Sequence, residues 1–202
     1  MQLRNTQTHY GLLSIALHWL IAALFLAMLV IGVVMTRLPL SDPLTFPLYQ
    51  THKSIGATIF LLTAIRLVWR WTNGAPDLPS GVSAFERFGA HATHWGLYAV
   101  LLIMPLTGWV VVSASPLGIP TLLYGTVPLP HIGFVAASPD KAAIENIASW
   151  AHTILAILGA ALFSLHVSAA LWHHFFRKDD VLMRMLVPNK KFPKPNPQEK
   201  SS

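Results

Sequence analysis

The sequence contains no cysteine and few charged side chains. Without cysteine the chain cannot form disulfides, bind an iron–sulfur cluster through thiolates, or hold haem covalently through a C-x-x-C-H motif. Only 11% of the 202 residues are charged and 53% are hydrophobic, whereas an average soluble domain has about 25% charged residues. With a mean hydropathy of +0.52, this composition indicates an integral protein of a lipid bilayer.

Stretches without any charge predict where the chain crosses the bilayer. Such stretches cover 5–36, 88–139 and 146–176, and a shorter one covers 54–65. Because a spanning helix needs about 20 apolar residues, we predict an all-α four-helix bundle. The predicted helices cover about 12–35, 51–71, 90–112 and 147–176, in one domain over 12–187. The stretch 113–146 is rich in proline and glycine, which predicts a structured periplasmic loop. The stretch 188–202 is rich in lysine and proline, which predicts a disordered cytoplasmic tail.

The distribution of lysine and arginine predicts the orientation. With both termini on one side of the membrane, that side carries eleven of the 14 basic residues, and only Arg37, Lys53 and Lys141 lie on the other. The excess of basic residues predicts cytoplasmic N and C termini. The net charge of +6 is therefore interpreted as a topology signal and not as a nucleic-acid-binding surface. A signal peptide is the competing interpretation of the first helix, but its apolar stretch is too long for one.

Two histidines stand at a spacing that is informative. His152 and His166 lie fourteen residues apart within one apolar stretch. On a helix they face nearly the same direction and are separated by about 21 Å along the axis, within a hydrocarbon core about 30 Å thick. One helix thus presents an imidazole near each membrane face. Imidazole is a common axial ligand of haem iron, so the spacing favours two stacked b-type haems.

Further histidines lie at matching depths on the other predicted helices. His52 begins the second helix at the outer face and is expected to pair with His152. His18 lies two turns into the first helix, near the inner face, and is expected to pair with His166. His94 opens the third helix at the same inner level, and spacing alone does not choose between His18 and His94.

Histidines at the inner interface suggest a second kind of site. His173 continues the stripe of His166 after seven residues. It is suited to bind a quinone head group, which needs hydrogen-bond donors and protons, or it anchors the helix at the interface. His94 is a second candidate for the quinone site. His9 and His131 fall outside the predicted helices and are not expected to be ligands.

Two basic residues at the outer face are suited to attract an anionic electron donor. Lys53 adjoins His52, and Arg37 follows the first helix. Their positive charge would attract a small anion such as superoxide. The alternative is that both side chains anchor the helices at the membrane surface.

Five sequence runs together resemble the bacterial cytochrome b561 family of four-helix dihaem proteins. The likeness extends over about 12–188. The runs are IALHWL at His18, YQTHKSIG at His52, HATHWGLYAVLLIMPLTGW at His94, SWAHTILAILGAALFSLH at His152 and His166, and WHHFFRKDDVLMRML at His173.

The resemblance implies two haem b groups and a function. It assigns His18 and His166 to the inner haem and His52 and His152 to the outer haem. The family activity it implies is oxidation of superoxide to oxygen at the periplasmic side and reduction of ubiquinone near the cytoplasmic haem. His173 corresponds to a histidine at the quinone site proposed for the family.

The sequence is also compatible with two other functions. The second hypothesis is a cytochrome b anchor subunit that passes electrons between a periplasmic partner and quinone. A third hypothesis is a histidine-lined metal transporter, which would need acidic ligands within the spans; the charge-free stretches contain none.

Overall fold

Four long helices dominate the computed structural model, which describes residues 2–77 and 81–187. All four are long and apolar enough to cross a membrane, which confirms the all-α four-helix architecture. The first begins and ends at the predicted residues. Their bounds, with those of one short helix, are α1 Leu12–Met35, α2 Thr45–Asn73, α3 Ala84–Ala114, α4 Gly133–Ala136 and α5 Lys141–Trp172.

The predictions for the other three long helices were wrong at most ends. The helices α2 and α3 extend further at both ends, and α5 begins at Lys141, before the predicted start. At its other end α5 stops at Trp172, before the predicted limit, and the chain continues as a π-helical turn. Charged residues do not limit these helices, because a helix continues through the polar interface once its backbone hydrogen bonds are satisfied. Ser83 starts α3 with a capping box, in which its side chain accepts from the amide of Glu86 and the Glu86 carboxylate accepts from the amide of Ser83. His52 consequently lies two turns inside α2 and not in its first turn.

A short folded segment follows α5 and returns to the bundle. It comprises a π-helical turn His173–Arg177 and a 3-10 turn Met183–Met185. We call residues 173–187 the terminal cap, and the end of the bundle that it covers the terminal end. The Trp19 indole donates to the Met185 carbonyl at 2.7 Å, which docks the cap on α1. The predicted tail 188–202 lies outside the described residues.

The opposite end, called the hairpin end, carries a small antiparallel sheet. Strands β1 Thr121–Leu123 and β2 Val127–Leu129 pair with Thr121 opposite Leu129. The turn between them places Tyr124 and Gly125 at positive φ, 52° and 74°, as a tight hairpin turn requires. The Tyr124 amide donates to Ser54 Oγ at 2.9 Å, so the hairpin is fastened onto α2. The sequence predicted a structured loop here but no strands, because two prolines fall in or beside β2.

Two pairs of helices do not pack closely, and we call the line between the helices of each pair a seam. The backbones of α1 and α2, of α2 and α3, and of α3 and α5 lie close together, whereas α5 stays apart from α1 and from α2 over most of its length. At the middle of the bundle, Gly159 of α5 meets Phe25 and Val100. A Cβ at Gly159 would lie 3.0 Å from the Val100 side chain and 3.1 Å from Phe25. The centre of the bundle is therefore tightly filled.

Candidate cofactor sites at two histidine pairs

The hairpin-end pair bridges the seam between α2 and α5. The ring centroids of His52 and His152 lie 6.1 Å apart, with ring planes inclined by 62°. Both rings line a cavity of about 860 Å³, within the range of about 300–1,000 Å³ that is usual for cofactor and ligand pockets. Apart from the histidines, the lining is mainly apolar, with Phe25, Met28 and Trp109 among the larger side chains.

Contacts with α3 fix the tautomer of His152. Its Nδ1 lies 3.1 Å from the Met104 carbonyl and 3.0 Å from the Thr107 hydroxyl. A carbonyl only accepts, so Nδ1 carries the hydrogen and Nε2 keeps its lone pair free. This is the tautomer that a metal-binding imidazole needs, and such a backbone partner also holds the ring in place.

A glycine faces each ring of this pair. A Cβ at Gly108 of α3 would lie 3.2 Å from Cε1 of His152, and one at Gly32 of α1 would lie 3.6 Å from Cε1 of His52. The first contact is tighter than ordinary packing and the second is normal van der Waals contact. Nδ1 of His52 is buried without a hydrogen-bond partner among the described residues, which is rare for a buried polar atom.

Three histidines meet at the terminal end. The ring centroid of His166 lies 6.0 Å from that of His18 across the seam between α1 and α5. It lies 5.1 Å from that of His94 on α3. Within the described residues, no hydrogen bond involves a ring nitrogen of these three side chains. All three side chains are half-buried, and imidazoles that face one another without a protein partner are suited to bind a ligand that this chain does not itself supply.

Ring distances test whether these residues fit an iron porphyrin. An imidazole nitrogen lies about 1.2 Å from its ring centre and bonds a metal ion at about 2.0 Å, so two imidazoles on opposite sides of one ion place their centroids about 6.4 Å apart. The His52–His152 and His18–His166 distances of 6.1 and 6.0 Å come close to this value. The His94–His166 distance of 5.1 Å is more than an ångström short. An edge-to-face contact also allows such distances, but it does not account for the unpartnered nitrogens.

Two arginines of α2 lie near the terminal-end histidines without a counterion. Arg66 and Arg70 line one small cavity together with Tyr10 and Tyr98, and the Arg66 guanidinium lies 5.8 Å from the centre of the Tyr98 ring. Within residues 2–77 and 81–187, neither arginine has a carboxylate within 4.0 Å. Burial raises the pKa of the Tyr10 phenol, so its hydroxyl remains a hydrogen-bond donor. These groups suit the carboxylates of a haem edge.

The predicted quinone residues fall at different places. His94 lies beside His166 at the terminal-end pair. His173 lies about two turns further, at the start of the terminal cap, where its Nδ1 is 2.5 Å from a carboxylate oxygen of Asp179.

The predicted steering residues also separate. Lys53 lines the hairpin-end cavity, whereas Arg37 is exposed beyond α1 and is not part of that lining. Glu145 lines the cavity as well. At the hairpin end as a whole, three basic and three acidic residues balance: Arg37, Asp42, Lys53, Asp140, Lys141 and Glu145.

Sequence reasoning missed the side chains that support the histidines. Thr107, Gly108 and the Met104 carbonyl belong to α3, and no local pattern ties them to His152, which stands more than 40 residues later. Asp179 was also missed, although it stands six residues after His173. A signal existed there, since a carboxylate near a histidine at a helix end is a recognisable pairing. As for a bare metal ion, the described part of the chain holds no cluster of three or more histidine and acidic side chains suited to one.

Comparison with known proteins gives matches over nearly the whole chain. A family model described as prokaryotic cytochrome b561 matches residues 9–188. The chain is 33% identical to cytochrome b561 homolog 2 of Escherichia coli (strain K12) over 186 residues, which cover 92% of this chain and 95% of that protein. It is 29% identical to cytochrome b561 homolog 1 of the same organism over 179 residues, 88% and 96% of the two chains. It is 26% identical to the probable superoxide oxidase CybB of Yersinia pestis over 179 residues, 88% and 95% of the two chains.

Proposed function

Since the chain belongs to the prokaryotic cytochrome b561 family, whose members are membrane electron-transfer proteins with b-type haem, we propose that it carries electrons through two haems to a quinone. The electrons come from superoxide, which is oxidised to oxygen, and ubiquinone is reduced at the opposite face. The observation that carries this proposal is the pair of histidine–histidine distances, 6.1 and 6.0 Å, at opposite ends of one bundle.

Two histidines at each end of the bundle would hold one haem. His52 and His152 would hold the haem of the hairpin end, and His18 and His166 that of the terminal end. The bound haems supply one-electron redox chemistry. The chain's own residues keep His152 in the ligating tautomer through Met104. The tightly packed middle around Gly159 separates the two levels.

Orientation follows from the charges at the two ends. The terminal end carries Arg66, Arg70, Arg177 and Arg184, and the hairpin end has no net charge. By the positive-inside rule the terminal end faces the cytoplasm and the hairpin end the periplasm of a bacterial inner membrane. Superoxide would then be oxidised at the hairpin-end haem.

Attraction of superoxide to the hairpin end has to be local. Because the charges of that end balance, a long-range field does not favour an anion there. Lys53, one residue from His52, lines the cavity, and none of the described carboxylates lies within 4.0 Å of its ammonium. We therefore assign steering to Lys53 and not to Arg37.

Quinone reduction belongs at the terminal end. A quinone diffuses within the bilayer, and accepts two electrons and two protons when it is reduced to the quinol. Two superoxide ions supply the electrons and leave as two molecules of oxygen. The protons must come from the protein or from cytoplasmic water, and His173 at the bundle end is the group suited to deliver them.

Stopped-flow mixing of the purified protein with superoxide tests this function. We expect both haems to become reduced, and we expect added ubiquinone to reoxidise them with formation of quinol. Reduction by superoxide without reoxidation by quinone would contradict the quinone assignment. Absence of any reduction by superoxide would contradict the donor.

Replacing Gly108 with alanine will disturb the hairpin-end haem. The new methyl group would press on Cε1 of His152 at 3.2 Å and force the ring to shift by a few tenths of an ångström. We expect haem loss from that site to accelerate by on the order of tenfold, as for other changes next to a metal ligand. Gly32→Ala is the matched control, because its methyl group would only touch His52 at 3.6 Å. Equal haem retention in the two variants would contradict this role of Gly108.

Replacing Arg66 with glutamine will lower the reduction potential of the terminal-end haem. A nearby positive charge favours the reduced iron, so its loss favours the oxidised form, by on the order of tens of millivolts. Redox titration of the two haems measures the effect, and Arg66→Lys, which keeps the charge, should stay near the wild-type value. An unchanged reduction potential in Arg66→Gln would mean that the charge of Arg66 does not act on the haem.

The second candidate function is that of an anchor subunit for a periplasmic redox partner. The segment between α3 and α5 favours it, because Leu117, Tyr124, Val127 and Phe134 are large and exposed. Purification of the tagged protein in mild detergent distinguishes the two functions. A redox protein bound in equal amount would support the anchor, and full superoxide-driven quinone reduction by the isolated chain would support the first function.

A further inference from the structure

We propose that Asp179 orients His173 as the proton donor to the quinone, and that the terminal cap exists to hold this pair in place. The inference rests on the proposed function, and it assigns a positioning role to a residue that makes no contact with the substrate. Asp179 would act only through the imidazole that it binds.

The geometry of the pair carries the proposal. Nδ1 of His173 and Oδ2 of Asp179 lie 2.5 Å apart, and both side chains are largely buried, at 15% and 20% exposure. The second carboxylate oxygen of Asp179 accepts from the Val181 amide at 3.1 Å. One carboxylate oxygen is therefore held by the backbone, and the other is hydrogen-bonded to the imidazole.

The backbone between the two residues is shaped to bring them together. His173–Arg177 forms a π-helical turn, a rare element that is frequent at functional sites. Lys178 then adopts a left-handed conformation, with φ 53°, which reverses the chain after the helix. Six residues along a regular helix would place the two side chains on different faces and about 9 Å apart along the axis.

The cap is fastened to the rest of the protein by other side chains. Arg177 donates to the Gly81 carbonyl at 2.9 Å and lies 3.8 Å from the Glu86 carboxylate. Arg184 donates to the Asp77 carbonyl at 2.7 Å and pairs with Asp180 at 2.9 Å. Neither arginine takes the Asp179 carboxylate within ion-pair distance. The Asp179 carboxylate is therefore available to the His173 imidazole, whereas Arg177 and Arg184 attach the cap to the rest of the protein.

The carboxylate decides which nitrogen of His173 can react. A carboxylate accepts and does not donate, so the hydrogen between the two groups belongs to Nδ1. Nε2 is then the nitrogen that takes a proton from water and gives it away, as in other histidines that a carboxylate orients.

The proton step balances with the electrons that superoxide supplies. For each quinone, oxidation of two superoxide ions to two molecules of oxygen supplies the two electrons. Nε2 of His173 gives one proton to a quinone carbonyl oxygen and recovers it from cytoplasmic water. The second carbonyl oxygen receives its proton in the same way or from water, and quinol leaves.

Asp179→Asn in the full-length haem-loaded protein tests the proposal. The asparagine oxygen can still accept from Val181, so the turn is kept, but its amide presents hydrogens to Nδ1. The hydrogen of His173 must then move to Nε2, which can no longer accept a proton from water. Asp180→Asn is the matched control, because it removes the same charge one residue away, from the pair with Arg184.

We expect the kcat of quinone reduction to fall about 100-fold in Asp179→Asn. Its KM and the rate at which superoxide reduces the haems should stay at wild-type values. A larger solvent isotope effect on kcat in D₂O should accompany the fall, and Asp180→Asn should behave as the wild type in all four measurements.

Two results would overturn the inference. One is an unchanged kcat and isotope effect in Asp179→Asn. The other is an equal loss in Asp179→Asn and Asp180→Asn, which would mean that both changes only loosen the cap. If the wild-type protein itself failed to reduce quinone, the proposed function would fall and the role of Asp179 with it.

Discussion

Replacing His152 with alanine will leave the protein with one haem in place of two. The haem of the hairpin end loses an axial ligand, and the neighbouring Thr107 and Met104 carbonyl offer no nitrogen to replace it. The terminal-end haem keeps His18 and His166 and should remain. The haem content of the purified variant should fall to about half. Reduction by superoxide should also be lost, because no haem remains at the hairpin end to accept the electron, and the packed middle of the bundle separates that end from the remaining haem.

His131→Ala is the control for this variant. His131 also lies at the hairpin end, where its Nε2 is 3.3 Å from the Ile119 carbonyl, but it does not line the cavity of His52 and His152. We expect His131→Ala to keep both haems and the rapid reduction by superoxide. Two haems in His152→Ala, or one in His131→Ala, would contradict the assignment at this end.

The second large effect separates His18 from His94. His18→Ala should lose the terminal-end haem and with it all electron transfer to quinone, while the hairpin-end haem is still reduced by superoxide. His94→Ala should keep both haems, because its 5.1 Å distance from His166 is too short for ligands on opposite sides of one iron. Haem content and the spectra of the partly reduced proteins measure the difference.

The reverse pattern would change the ligand set. If His94→Ala lost the terminal-end haem and His18→Ala kept it, the helix α3 histidine would be the ligand. The open seam between α1 and α5 would then need another occupant.

Much of the architecture could be predicted from the distribution of charge. The limits of α1 were correct because its ends coincide with the ends of an apolar stretch. Both ends of α2 and α3 and the start of α5 were wrong because helices extend through the interface, where caps such as Ser83 with Glu86 satisfy the backbone. Periodicity in a single helix cannot show where such an extension stops.

The candidate ligands could be predicted from helical geometry, but their surroundings could not. A spacing of fourteen residues within α5 determines both depth and direction for His152 and His166. Contacts between helices depend on how α3 rotates against α5, and no spacing within one helix determines that rotation. The Met104 carbonyl carries no side-chain signal at all, so its bond to His152 emerges only when the helices are packed.

The choice between His18 and His94 shows the same limit. Both lie at the terminal-end level, and depth alone treats them as equivalent. The structure separates them by the distance across each helix pair, 6.0 Å against 5.1 Å, which is a property of the packed bundle.

The most direct measurement is the ratio of haem b to protein in the purified wild-type chain, from the pyridine haemochrome spectrum and amino-acid analysis. We expect two haems per chain, both low-spin with two imidazole ligands. A ratio of one, or a colourless protein, would contradict it.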